Sequence, residues 1–240
     1  MNIQERLSFL LDGREMATWG SSLGLPPQIT AELLSGHTLE SEFLHAIRRA
    51  ENVNLDWLLK GEGNPFIVQH FSDDSDFAET VDSMLADEDL AVHVGFFKNQ
   101  ITLVFSQSGQ YKLNGKWFDY TSCGILTGNA TTLISMILCS HLHHRKIYVR
   151  NEQAESHLDE AYLSKIAEGK LGTYSLLIRQ DSHLKNNSIA ATPELLRFLT
   201  KPSQFPPITA ENIGEIIQNM EITRDYFEKL HPEFFKPKEH

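Results

Sequence analysis

Residues 53–63 read Val-Asn-Leu-Asp-Trp-Leu-Leu-Lys-Gly-Glu-Gly, and their pattern is the most specific structural signal in the first quarter of the chain. Four apolar side chains fall between Asn54 and Lys60, which predicts a short helix, and the two glycines that follow predict its end. A tryptophan inside such a cluster is first of all a core residue. The stretch therefore indicates a small helical core before it indicates any function.

Four more helices are predicted upstream of this stretch. Their apolar residues recur at helical spacing, and the breaks between them fall near Gly13, Gly24 and Gly36. Pro27 can lie in the first turn of the third helix, because an N–H in that turn has no intrahelical partner to lose. Residues 1–66 are thus predicted to be an all-α domain of about five short helices, separate from the domain that follows.

The stretch 53–63 resembles the closing signature of the N-terminal domains of bacteriophage CI-like repressors. Further positions of the family pattern are also present. The apolar and small residues of the first helix are Trp19 and Gly20, and the turn glycine and the apolar residue after it are Gly24 and Leu25. Gly36 matches the glycine that ends the recognition helix. Two helices of such a motif cross closely, so the crossing point needs a small residue and the tight turn a glycine. The resemblance covers the first quarter of the chain, and it implies a helix-turn-helix fold that docks on DNA.

This resemblance implies a recognition helix, at about residues 27–34, that lies in the major groove of double-stranded DNA. Gln can pair with adenine, Ala can contact a thymine methyl group, and Glu can accept a hydrogen bond from cytosine N4. Contacts to phosphates are expected from arginines in neighbouring helices. The candidate DNA-binding residues are Pro27, Gln28, Thr30, Ala31, Glu32, Arg14 and Arg48.

Net charge counts against DNA binding, because affinity for nucleic acid comes largely from Lys and Arg side chains that neutralise phosphates. The chain has a formal net charge of -11, and residues 1–66 hold five Lys and Arg against nine Asp and Glu. No Lys or Arg occurs between Glu15 and Ile47. The DNA-binding hypothesis therefore rests on the helical pattern alone.

Two functions from different classes are consistent with the sequence. The first is a sequence-specific transcriptional regulator that binds DNA as a homodimer or higher homo-oligomer, since helix-turn-helix dimers read two half-sites one helical turn apart. The second is an antirepressor-like interaction protein, whose acidic helix-turn-helix module binds another regulator instead of DNA. The region after the helices is expected to mediate association or to sense a small-molecule or protein effector.

Residues 67–89 are predicted to be a solvated acidic linker. Residues 70–89 hold eight Asp and Glu and no Lys or Arg, and a run of uncompensated charge is typical of solvated chain. The spacing of Phe77, Val81 and Leu85 predicts a short amphipathic helix inside the linker.

Residues 90–240 are predicted to be an α+β domain. Alternating apolar residues from Val92 to Phe105 predict two paired strands, and Asn114-Gly115 predicts a tight hairpin, because both turn residues accept positive φ. Together these strands form an antiparallel meander. The further predicted elements are helices at about 129–142 and 158–166, strands at 146–149 and 174–178, and terminal helices from Thr192 and Thr209.

The histidines do not form a recognisable metal motif. His141 and His144 lie three apart on a predicted helix, and His93 or His157 could complete a site, but no HExxH or comparable spacing accompanies them. Histidine near a helix C-terminus also complements the helix dipole, which makes a polar helix end the simpler interpretation. We therefore expect no bound metal and no cofactor.

Candidate nucleophiles are equally weak. Ser135 is the nearest match to the serine of a self-cleaving repressor domain, but it falls inside an apolar helix, and Cys123, in a predicted loop, has no visible base partner. We expect neither self-cleavage nor another enzyme activity. A metal- or thiol-dependent enzyme that uses His141, His144 or Cys139 is the third alternative.

The sequence also predicts a cytoplasmic protein without membrane association. Its first six residues lack an apolar signal core, and the longest apolar run, at 133–139, is far shorter than the roughly 18 residues that span a membrane. Cys123 and Cys139 are its two cysteines, which is too few for a disulfide framework.

Overall fold

The computed structural model describes residues 1–37, 39–87, 89–97, 99–150 and 159–198. Within these ranges the chain is mixed α+β, as predicted, and its helices pack on one six-stranded sheet. The predicted helix from Thr209 lies outside the described residues.

The N-terminal part consists of five helices at the predicted places. Asn2 begins the first through a capping box with Glu5, in which each side chain bonds the other residue's backbone N–H. Gly61 ends the fifth helix in the left-handed conformation that glycine adopts at low cost. The five helices are α1 (Ile3–Leu11), α2 (Met16–Ser22), α3 (Pro27–Leu34), α4 (Ser41–Glu51) and α5 (Leu55–Lys60).

The sheet combines antiparallel and parallel pairs. The predicted hairpins β2–β3 and β3–β4 are antiparallel, whereas β1 pairs with β4, and β2 with β5, in parallel. The strand order is β1-β4-β3-β2-β5-β6, so two short strands that the sequence pattern did not predict form the edges. The strands are β1 (Gln69–His70), β2 (Ala91–Phe97), β3 (Gln100–Leu113), β4 (Lys116–Asn129), β5 (Lys146–Arg150) and β6 (Ser188–Ala190).

The prediction of a solvated linker at 67–89 is wrong for most of this segment. The segment contains β1 and the 14-residue helix α6 (Asp74–Asp87). The predicted apolar positions of α6, Phe77, Val81 and Leu85, are fully buried against one face of the sheet, together with α7 (Thr132–His141). Its acidic side chains line the outer surface, with the exception of the buried Asp82. The amphipathic spacing was therefore the better signal, because a helix can place its charges on one face and its apolar residues on the other.

The opposite face of the sheet is covered by α8 (Asp159–Ala167) and a short π-helix, Tyr174–Ile178. The strand predicted at 174–178 is thus wrong. A short apolar run with buried Leu176 and Leu177 does not distinguish a strand from a buried helical turn. The α9 helix (His183–Asn186) and the α10 helix (Pro193–Phe198) complete the described chain.

The β3–β4 hairpin extends well beyond its neighbours. Its seven outermost residue pairs, from Gln107↔Ser122 to Leu113↔Lys116, have no other strand partner among the described residues. At about 3.4 Å per residue this two-stranded projection is about 24 Å long. We call residues 107–122 the arm. It ends in the predicted Asn114-Gly115 turn, in which both residues have positive φ.

One face of the arm packs on the N-terminal helices. The hydrophobic cluster formed by α1 to α5 includes Tyr111 and Leu113 from the arm, with Phe118 and Tyr120 packed against it. At another place the Phe66 ring lies against Gly172, and the Phe66 N–H donates to the Gly169 carbonyl at 2.9 Å. The five helices therefore share their apolar core with side chains from the sheet region, so the prediction that residues 1–66 have a core separate from the following domain is wrong.

Candidate nucleic-acid interface

The crossing of α2 and α3 is tight where the sequence pattern requires a small residue. A Cβ built on Gly20 would lie 2.5 Å from Thr30 Cγ2. Gly24, in the turn between the two helices, has φ +66, and the Leu25 N–H donates back to the Gly20 carbonyl at 2.9 Å. Glycine meets both needs, since it has no side chain at the crossing and adopts positive φ freely in the turn.

The α3 helix has one inner and one outer face. Thr30 and Leu33 are buried, and the Thr30 hydroxyl donates to the Pro27 carbonyl at 2.8 Å. Of the α3 residues predicted to bind DNA, Thr30 thus points inward, whereas the other four are exposed: Pro27, Gln28, Ala31 and Glu32.

Arg14 has an internal role. Its guanidinium donates to both carboxylate oxygens of Glu51, at 2.7 and 3.0 Å, and to the carbonyls of Leu10 and Leu11. The Arg14 guanidinium also lies 3.9 Å from the centre of the Tyr174 ring. Glu51 is 3% exposed and accepts a further hydrogen bond from Trp19 Nε1 at 2.8 Å. The Arg14 donors that the sequence predicted for phosphate contacts thus join α1, α4 and the π-helix.

The other arginines of the helical region differ in exposure. Arg6 is buried and donates to the carbonyls of Leu58 and Leu59, which fastens α1 to the end of α5. Arg48 and Arg49, on α4, are exposed. Arg48 is thus the one predicted phosphate contact whose side chain lies on the surface.

The α3 helix and the chain segments before and after it carry exposed acids and no Lys or Arg. Glu15, Glu32, Glu40 and Glu42 are all exposed, and the stretch that contains them has no Lys or Arg. Without cations from elsewhere, this surface would repel the phosphates that flank a DNA groove.

The arm lies directly beside the α2–α3 turn. The Tyr111 hydroxyl donates to the Leu23 carbonyl at 2.8 Å, and a side chain at Gly24 would overlap the Phe118 ring. Burial raises the pKa of Tyr111 to about 12, although the positive charge of nearby Arg49 acts in the opposite direction. At neutral pH the phenol therefore keeps its proton and remains a donor to the turn.

The tip of the arm supplies cations that α2 and α3 lack. Lys112 and Lys116 are exposed, residues 111–118 contain no acid, and Trp117 is 65% exposed. Lys112 and Trp117 are register partners and share the outer face of the arm. The sequence pattern of this segment predicted only a hairpin, although two lysines that flank an Asn-Gly turn are visible in the sequence.

His141 and Ser135, two of the metal and nucleophile candidates, have structural partners. The His141 Nε2 atom lies 2.7 Å from the Asp82 carboxylate, which joins α7 to α6. Ser135 is buried in α7, as predicted, and donates to the Leu196 carbonyl at 2.8 Å. Cys123 lies on β4 and not in the predicted loop, and burial raises the pKa of its thiol to about 12. This thiol is protonated at neutral pH, so it is a poor nucleophile.

A cavity of about 890 Å³ lies between α8 and the sheet. Most of the residues that line it are polar, and they include His70, Thr102, Thr127, Asn129 and Glu160. These side chains offer donors and acceptors, but no cluster of three metal-ligating residues occurs in the part of the chain that the structure describes.

Comparison with protein-family models, with curated proteins and with solved structures found no match for this chain. The described segments include no helix with the length and apolarity needed to cross a membrane. The candidate site is therefore the exposed face of α3 together with the arm beside the α2–α3 turn.

Proposed function

We propose that this protein is a sequence-specific DNA-binding regulator that inserts α3 into the major groove as part of a helix-turn-helix formed by α2 and α3. One observation carries the proposal: α3 presents Gln28, Ala31 and Glu32 to solvent while Thr30 and Leu33 face inward. Helix-turn-helix proteins need such an outer face on the second helix, because its side chains must reach base edges.

The tight α2–α3 crossing also supports this proposal. A helix enters the major groove as a fixed unit only if its supporting helix holds it in place, and the contact at Gly20 provides that support. The network around Glu51 fixes α2 from the other side through Trp19 and Arg14. The exposed face of α3 is therefore a preorganised surface.

We further propose that the protein binds DNA as a homodimer, because a single small module buries little surface and specific sites are commonly read as two half-sites. Two modules in one assembly raise the local concentration at the second half-site, which adds affinity without any new contact.

Selection of genomic fragments by the purified full chain, at low and at moderate salt, tests the proposal. We expect an enriched sequence with two half-sites. Gln28→Ala should then reduce the preference for this sequence over random DNA by about 1–3 kcal/mol per half-site, which is the discrimination of one bidentate contact. Gln4→Ala, at an exposed glutamine on α1, is the matched control and should leave the preference unchanged.

A second candidate function is an interaction protein whose α2–α3 surface binds a basic region of another regulator. The four exposed glutamates around α3 and the lack of Lys and Arg from residue 15 to residue 46 favour it. If the full chain selects no DNA sequence even at low salt, the DNA-binding proposal is wrong and this function replaces it.

A further inference from the structure

We propose that the arm is a second DNA-binding element, whose tip residues Lys112, Lys116 and Trp117 contact the sugar-phosphate backbone beside the groove that α3 occupies. This inference rests on the proposed DNA-binding function. It adds a surface outside the five helices and names the residues that neutralise phosphates.

The position of the arm relative to α3 is fixed by specific contacts. The Tyr111 hydroxyl bonds the Leu23 carbonyl, and Phe118 packs against Gly24, where any side chain would collide with the ring. Leu113, one residue before the turn, is buried in the cluster formed by the helices. Because these contacts extend from the middle of the arm almost to its end, the tip keeps a defined place next to the α2–α3 turn.

Charge complementarity identifies the partner as nucleic acid. Lys112 and Lys116 are exposed, and Asp119, the nearest acid along the arm, accepts a hydrogen bond from Gln110 at 2.6 Å. The α2 and α3 helices, in contrast, carry Glu32 and, at the N-cap of α2, Glu15, and they have no Lys or Arg. A protein that reads bases with an acidic surface must obtain its phosphate contacts from neighbouring elements, and the arm adds two exposed lysines to the exposed Arg48 and Arg49 of α4.

Trp117 is unusual for a residue on a monomeric surface. Its side chain is 65% exposed, although the same strand buries Phe118 and Tyr120 partly against the helices. Lys112 lies opposite Trp117 in the register, so an indole ring and an ammonium group share one face. An aromatic plane beside a cation suits a deoxyribose and its phosphate, because the ring packs on the sugar while the cation neutralises the charge.

The experiment compares four forms of the full chain on the DNA sequence that the protein selects and on random duplex DNA, over a series of salt concentrations. The forms are the wild type, the Lys112→Ala, Lys116→Ala double variant, Trp117→Phe, and a control with the same change in charge, Lys165→Ala, Lys185→Ala. The two control lysines are exposed and lie on α8 and α9.

We expect the arm double variant to weaken binding to both DNAs by the same factor, so that sequence preference is retained. The slope of log affinity against log salt should fall by about 0.9 for each phosphate that is no longer neutralised, or about 1.8 per protomer. Gln28→Ala should give the opposite pattern, with reduced preference and an unchanged slope. The control lysines should change neither quantity.

Tryptophan fluorescence gives an independent readout. Trp19 and Trp57 are 2% and 6% exposed, so acrylamide should quench mainly Trp117. In the wild type, DNA should protect the Trp117 fluorescence from acrylamide. In Trp117→Phe, the quenchable part of the fluorescence should be missing even when no DNA is present. Sedimentation of the same forms without DNA reports whether the tip instead joins two copies of the chain.

The outcomes separate the two proposals. If the wild type binds no DNA even at low salt, both are wrong. If the wild type selects a sequence but the arm double variant keeps its salt slope, or DNA leaves quenching of Trp117 unchanged, only the role of the arm is wrong. Loss of self-association in Trp117→Phe would also overturn that role, and the tip would then be an interface between copies.

Discussion

At the scale of single residues, Gly20 shows how little room the α2–α3 crossing leaves. A Cβ at this position would lie 2.5 Å from Thr30 Cγ2, and Thr30 is itself buried. Gly20→Ala should therefore lower the free energy of unfolding by about 1–3 kcal/mol, the usual cost of an added methyl group in a packed interior.

Urea unfolding of Gly20→Ala measures this effect. Ser21→Ala is the matched control, because Ser21 is exposed on the same helix and the change removes an atom instead of adding one. An unchanged midpoint for Gly20→Ala would mean that the two helices are not pressed together at this point.

The sequence predicted the glycines of this region better than its arginines. Gly20 and Gly24 have roles that follow from local geometry, namely a close crossing and a turn with positive φ. The use of Arg14 depends on Glu51, 37 residues away, and on Tyr174 in a distant π-helix. A charged residue can be predicted to lie on the surface only when it has no buried partner in the fold. A buried partner that is far away in the sequence cannot be recognised from the local sequence pattern.

At the scale of elements, the arm has two faces with different expected roles. Phe118 packs against the helices and Trp117, the residue before it, faces solvent. Phe118→Ala should lower the free energy of unfolding by about 1–3 kcal/mol, because it removes partly buried apolar surface next to Gly24. Trp117→Ala should change it by less than about 0.5 kcal/mol, as is usual for an exposed side chain.

Thermal or urea unfolding of the two variants, side by side, checks this difference. Each variant is the control of the other, since both truncate an aromatic ring in the same strand. Equal losses of stability would contradict the assignment of the two faces.

Periodicity predicted most helices and strands because it reflects local burial. The short edge strands β1 and β6 have two and three residues, which is too few for a pattern to emerge. In the α6 segment, net charge suggested solvation while the spacing of Phe77, Val81 and Leu85 indicated a buried helix face. The candidate site was predicted in part for the same reason: α3 has a visible periodicity, but the position of the arm beside it follows from the tertiary fold.

At the scale of the whole molecule, His93 is expected to make the free energy of unfolding depend on pH. It is 8% exposed on β2 and stacks on Tyr148, with ring centres 5.0 Å apart. Burial, with a smaller effect from the positive charge of Lys185, lowers the pKa of His93 to about 4.

In the unfolded chain histidine has its ordinary pKa of 6.5. Between pH 6.5 and 4 the unfolded chain therefore binds a proton at His93, whereas the folded protein does not. Stability from this residue is therefore complete above pH 6.5 and is lost as the pH falls through this range, by up to about 3 kcal/mol. Urea unfolding at pH 7 and pH 4.5 should show a smaller loss for His93→Gln than for the wild type. The exposed His37→Gln is the control and should follow the wild type. The same loss in all three proteins would show that His93 is not the source.

The register of the arm restricts which insertions and deletions of codons are compatible with the fold. Side chains alternate between the two faces of a strand, so deletion of a single codon between Gln107 and Tyr111 would turn Lys112 toward the helices and the positions of Tyr111 and Leu113 toward solvent. Loss or gain of two codons in each strand would keep every remaining side chain on its own face and alter only the reach of the tip. The arm can thus shorten or lengthen by two residues in each strand, or about 7 Å, at a time. A change of one residue in each strand would turn its side chains to the wrong face.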